Sequence, residues 1–164
     1  MTIEFLKRIL VRDLAALREE LRAYPDERAL WVCPEGIVNS AGTLVLHLTG
    51  NVQHFIGAGF GKTGYVRDRA AEFADRNVPR AELEGRIGET IEAVGRGMER
   101  LGHGDMEAEY PLEVAGQRLP TGLFLTHLAT HLAYHLGQVD YHRRVVTGQV
   151  NAVGAQSIVA LLGG

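Results

Sequence analysis

Residues 124–142 read Phe124-Leu-Thr-His127-Leu-Ala-Thr-His131-Leu-Ala-Tyr-His135-Leu-Gly137-Gln138-Val-Asp-Tyr-His142. Phe124, Leu128, His131, His135, Gln138 and His142 recur at steps of four, three, four, three and four, the spacing of one helical face turned toward a bundle interior. The segment predicts a helix opened by Pro120-Thr121, with threonine as its cap, and closed at Thr147 before Gly148.

Three more segments carry the same period. Over residues 2–23, Leu10, Leu14, Leu17 and Leu21 form an apolar face, and Pro25 ends it. From Ala41 to Ala58, capped by Asn39 or Ser40, Leu44, Leu48, Val52 and Phe55 form a stripe. Beside it runs a more polar one of Thr43, His47, Asn51, His54 and Ala58. From Arg80 to Leu101, Leu83, Ile87, Ile91, Val94, Met98 and Leu101 keep the period despite Gly85, Gly88, Gly95 and Gly97. Each such glycine costs about 1 kcal/mol relative to alanine, and close helix approach is the suggested reason for them. Residues between Gly64 and Pro79 read as charged and irregular, and Ala108 to Leu119 is ambiguous between loop and strand. The tail from Ala155 to Leu162 predicts a short C-terminal helix packing through Ile158, Leu161 and Leu162. Four long amphipathic segments joined by loops make an all-α helix bundle. At 164 residues it is expected to be one domain, 1–164.

Composition narrows the function. Hydrophobic residues make up 46% and charged residues 23%, ordinary for a globular protein. A formal net charge of −3 with no concentrated basic surface argues against nucleic-acid binding. Met1-Thr-Ile-Glu-Phe5 lacks the basic and apolar regions of a secretory leader, and no apolar run suggests a membrane span. The single cysteine, Cys33, excludes an internal disulfide framework and fits a reducing compartment, so cytoplasm is the expected location. In its apolar linker beside Trp31, Cys33 reads as a packing residue.

The histidines carry the chemistry. Imidazoles four residues apart on a helix converge on one point, a common way to offer two ligands to zinc or a similar cation. Chance gives roughly 0.3 such pairs in a chain with this histidine content, so spacing alone does not decide between ligands and hydrogen-bonded core histidines. An inward histidine left without a partner costs on the order of 1–3 kcal/mol. His47 on the second helix could complete a cation site with His131 and His135, or could be a core histidine of its own. His54 is about 10 Å further along the axis and His127 about 12 Å from His135, so neither shares that ion; both are candidates to line a pocket. Gly59-Phe-Gly61-Lys-Thr-Gly64 has the letters of a phosphate loop. Walker spacing would need glycine at Ile56, and no strand precedes it, so it reads as a helix terminator.

Asn39-Ser40 leading to His47-Leu-Thr-Gly-Asn51, Arg67-Asp68-Arg69 to Glu72-Phe73, and His127-x3-His131-x3-His135-x-Gly137-Gln138 resemble the DinB-like superfamily, also called the YfiT-like metalloenzymes. The resemblance runs over most of the chain. It implies an up-down-down-up four-helix bundle, often homodimeric, with a nickel or zinc ion on His47, His131 and His135. Relatives with known activity include bacillithiol-dependent S-transferases and mycothiol-dependent maleylpyruvate isomerase. The expectation is therefore a metal-dependent thiol S-transferase acting on small electrophiles, with a low-molecular-weight thiol as cosubstrate. A metal-dependent hydrolase using bound water and a non-enzymatic metal- or ligand-binding dimer are the alternatives. No protein group is assigned a catalytic role beyond the metal-bound thiol or water. Gln138 and Asn51 are candidates to orient the ligands, Arg67, Arg69 and Glu72 to form the pocket, and Gly137 to admit a neighbouring helix.

Overall fold

A computed structural model describes residues 2–153 and 158–161. The long helices are α1 (Ile3–Arg22), α2 (Ala41–Val52), α4 (Arg80–Met98) and α5 (Thr121–Thr147), with a short α3 (Arg69–Ala74) between α2 and α4. α2 runs on as a π-helical turn, Gln53–Ala58, so the predicted end at Ala58 is reached by a wider turn. Thr2 caps α1, and Ser40, rather than Asn39, caps α2 through the Thr43 amide. Pro120, not Thr121, occupies the cap position of α5, with no side-chain hydrogen bond. Gly148 ends α5 with φ of 71°, the left-handed conformation that glycine adopts without penalty.

α1 packs on α4 and α5, and α2 packs on the same two, so α1 and α2 lie across the diagonal. Directions follow from which ends meet. Lys7 pairs with Glu99 and Arg22 with Glu84, which sets α1 antiparallel to α4. Glu20 and Tyr24 reach Arg143 and His142, so α1 and α5 are parallel. Ile56 meets Gly97 near the ends of α2 and α4, so these two are parallel. This is the up-down-down-up arrangement. Leu10, Leu14, Leu17, Leu21, Leu83, Ile87, Leu128, Leu132 and Leu136 are among the side chains that fill the centre. No helix among the described residues is long and apolar enough to cross a membrane.

Several expectations change. The segment before Pro79 contains α3, opened by the Asp68 side chain accepting from the Ala71 amide. Residues 108–119 hold only isolated bridges, Glu109 with Pro120 and Val114 with Gln117, and no strand among the described residues. Of the α4 glycines only Gly97 supports close approach, with Ile56 where its Cβ would be; Gly85, Gly88 and Gly95 face open space. Gly137 also meets nothing within 4 Å, so it admits no neighbouring helix. Cys33 is exposed rather than packed. The C-terminal tail shows a single 3-10 turn, Ile158–Leu161, lying against α1. Ile158 there is exposed, and the rest of the predicted tail helix, residues 155–157 and Leu162, lies outside the described residues.

Candidate metal centre

α2 and α5 are antiparallel neighbours, and their facing surfaces bring His47, His131 and His135 together. One ring nitrogen of each lies within 4.8 Å of the others. His47 Nε2 and His131 Nε2 are 3.4 Å apart, and the His47 ring stands edge-on to both of the others. His47 is buried, while His131 and His135 are half-buried.

The back of each outer ring is held. Glu72 Oε2 lies 3.1 Å from His47 Nδ1, while Arg67 grips Glu72 by two bonds, Nε to Oε1 at 2.7 Å and a terminal nitrogen to Oε2 at 2.9 Å. Burial works to raise the Glu72 carboxyl, but the hydrogen bonds from His47 and Arg67 outweigh it and hold the group below its ordinary range. Glu72 is therefore an ionised, acceptor-only partner. The hydrogen bond to that carboxylate places a proton on His47 Nδ1, while Nε2 is aimed at its neighbours. Across the site, Gln138 Oε1 accepts from His135 Nδ1 at 2.6 Å, which likewise leaves His135 Nε2 free. Burial, reinforced by His135 and His47, pushes His131 down to about 4, so its ring is neutral at pH 7. His135 is also lowered, chiefly by burial.

Three imidazoles with ring nitrogens turned on a common point, His47 backed by a carboxylate and His135 by an amide oxygen, fit a cation. Metal-bound histidines almost always have such a partner behind them. His47, His131 and His135 would hold the ion. Three ligands leave room for a reactant, as catalytic zinc sites do and four-ligand structural sites do not.

The remaining candidates divide. Arg67 belongs to the Glu72 clamp, with its guanidinium also 5.7 Å from the Phe55 ring centroid. It is therefore committed to the protein rather than to an anionic substrate. Arg69 is exposed and lies over Phe73, whose ring is 5.0 Å from that of His47. Asn51, one turn beyond His47, is buried, and its Oδ1 has no hydrogen-bond partner among the described residues. Gln138 is exposed at the rim, not inside the seam where its spacing put it. His127 is exposed, stacked on Phe124 and 5.8 Å from His131; His54 is half-buried against Phe55. Neither joins the three ligands.

Two contributors escaped the sequence reading. Phe73 packs against His47, and Gly50 leaves the space that the Glu72 carboxylate enters. A glycine inside an otherwise regular helix was the available signal for the second.

A family model described as the DinB superfamily matches residues 9–139, a span that includes His47, Glu72, His131, His135 and Gln138. No curated protein and no solved structure matches the chain.

Proposed function

This chain belongs to the DinB superfamily, and we propose that it is a divalent-metal enzyme, using nickel or zinc, that transfers a small thiol to small electrophiles. The observation that carries this reading is the convergence of three imidazoles from two helices, with the outer two oriented from behind by Glu72 and Gln138.

A divalent cation bound there would acidify a thiol so that it is ionised near neutral pH. The protein's own groups do the rest. Glu72 fixes the tautomer of His47 and makes its Nε2 a better donor, and Arg67 keeps that carboxylate ionised and in place. Gln138 does the same for His135 without adding charge. Phe73 walls the His47 side against water, and the exposed Arg69 guanidinium beyond it adds positive potential at the approach. In the reaction the sulfur forms a bond to the electrophilic carbon, the thiol proton goes to solvent, and the substrate's leaving group departs.

The test begins with elemental analysis of protein purified without a histidine tag, next to His47→Ala and His135→Ala. About one nickel or zinc per chain in the parent and loss of it in both variants is expected. The loaded protein is then given thiols and a panel of electrophiles. Thiol consumption matched to product supports the transferase. Product formed in water without thiol would replace it with a hydrolase, and an inert, metal-loaded protein would leave only a binding role.

A further inference from the structure

Beside the histidines, about one turn further along α2 and α5, lies a cavity of about 440 Å³. Ile37 and Val38 from the segment before α2, Leu44 on α2, and Tyr141 and Val145 on α5 supply its apolar walls. Leu44 precedes His47 by three residues and Gln138 follows His135 by three, about 4.5 Å along each axis. Because the helices are antiparallel, both displacements lead the same way. Gln138 belongs to both places: it accepts from His135 and lines the cavity.

The walls carry no carboxylate, lysine or arginine. The cavity's imidazole, His142, is already used, with Nδ1 2.8 Å from the Tyr24 hydroxyl and Nε2 2.8 Å from the Val32 carbonyl. Other hollows on the surface differ in this respect. That beside Pro25 is lined by Asp26, Arg28 and Arg80, and that between α1 and the tail by Lys7, Arg12 and Glu19. Around the uncharged cavity Val38, Tyr141 and Val145 are 86%, 72% and 63% exposed, apolar surface that a ligand would cover. A volume of 440 Å³ falls within the usual range for small-molecule sites, and about 150 Å³ is enough for benzene.

We propose that this cavity seats an uncharged apolar arm, an aliphatic chain or aromatic ring, of the small molecule whose reactive end meets the histidine centre. The assignment of the arm to a substrate rests on the function proposed above; the affinity of the cavity for an apolar group does not.

Calorimetry on the zinc-loaded full chain tests it, with alkyl hydroxamates of two, four, six and eight carbons and with hexan-1-ol, which has a tail but no chelating end. Affinity should rise roughly fourfold per methylene until the cavity is full. Val145→Trp, which fills the space, and Val38→Asp, which puts a charge at the mouth, should each flatten that rise while acetohydroxamate still binds. Both positions are exposed, so the variants should fold. Hydroxamates that bind with no chain-length gain, or a gain that survives both variants, would overturn the cavity and leave the metal centre standing. Binding of hexan-1-ol lost in Val145→Trp, with no hydroxamate preferred over its alcohol, would uphold the cavity and reject the metal centre. Sedimentation is run in parallel: a dimer that Val145→Trp dissociates would give this face to a second copy of the chain and overturn the proposal.

Discussion

The Glu72 carboxylate stands against the backbone of Gly50, in the space where any other residue at position 50 would carry its Cβ. From there it reaches His47 Nδ1 on the previous turn of α2. One missing side chain on α2 thus lets α3 deliver an anion to the back of a candidate ligand.

Gly50→Ala should therefore behave like a mutation of the site, although residue 50 offers no donor atom. Its methyl group would displace Glu72, and zinc affinity measured by chelator competition should fall by about 10–100-fold, as when an orienting partner is lost. Glu72→Gln should fall in the same range. Unchanged affinity in both would show that His47 needs no support from behind.

Glycines within one helix should answer oppositely. Gly85→Ala in α4 meets nothing within 4 Å and should raise stability by about 0.5–1 kcal/mol, visible as a higher Tm. Gly137→Ala in α5 should do the same. Gly97→Ala would drive a methyl group into Ile56 and should destabilise by about 1–3 kcal/mol. A rise in Tm for Gly97→Ala would contradict the close contact of α2 with α4.

Arg143 and Glu20 pair at 2.6 Å with both side chains fully buried. Burial raises the Glu20 carboxyl against the opposing pull of Arg143, so the arginine is what makes the anion tolerable there. Arg143→Met should cost about 3–5 kcal/mol in denaturant unfolding, and the double variant with Glu20→Leu should cost less than the single one. Additive losses would mean that the two charges are not coupled.

His142 gives stability a pH dependence. Burial lowers its pKa, against the opposing bond to the Val32 carbonyl. The unfolded chain therefore binds a proton more readily than the folded one once pH drops below about 6.5. Stability from the neutral ring is present above that pH and is lost as pH falls toward the depressed folded value. Metal-free protein should melt lower at pH 5.5 than at pH 7.5, and His142→Gln should show a shallower slope between them. An equal slope in the variant would assign the effect elsewhere.

The sequence made the long helices legible because each buries one face, and the leucines of α1 and Leu83, Ile87, Val94 and Met98 of α4, at helical spacing, report that directly. It made the pairing of His131 with His135 legible for the same reason. It left the α3 helix hidden, since six residues capped by Asp68 have too few turns to show a period. The commitment of Arg67 to Glu72 is likewise a contact between a loop and a short helix, which spacing does not record. Gln138 shows the limit from the other side: it belongs to the same stripe as the buried His142 one turn on, yet it lies exposed at the rim, where it serves His135 by hydrogen bonding.

The wide turn at Gln53–Ala58 resolves a conflict of angles. Upstream, α2 must aim His47 at α5; downstream, the same rod must lay Ile56 into the notch at Gly97 on α4. A uniform α-helix would lock those two headings together, whereas the extra residue in a π-turn resets one against the other. Phe55, whose carbonyl is taken by the Tyr110 hydroxyl at 2.6 Å, pins that reset from outside. Deleting one residue from the turn would straighten the rod and force a choice between a seated Ile56 and a correctly pointed imidazole.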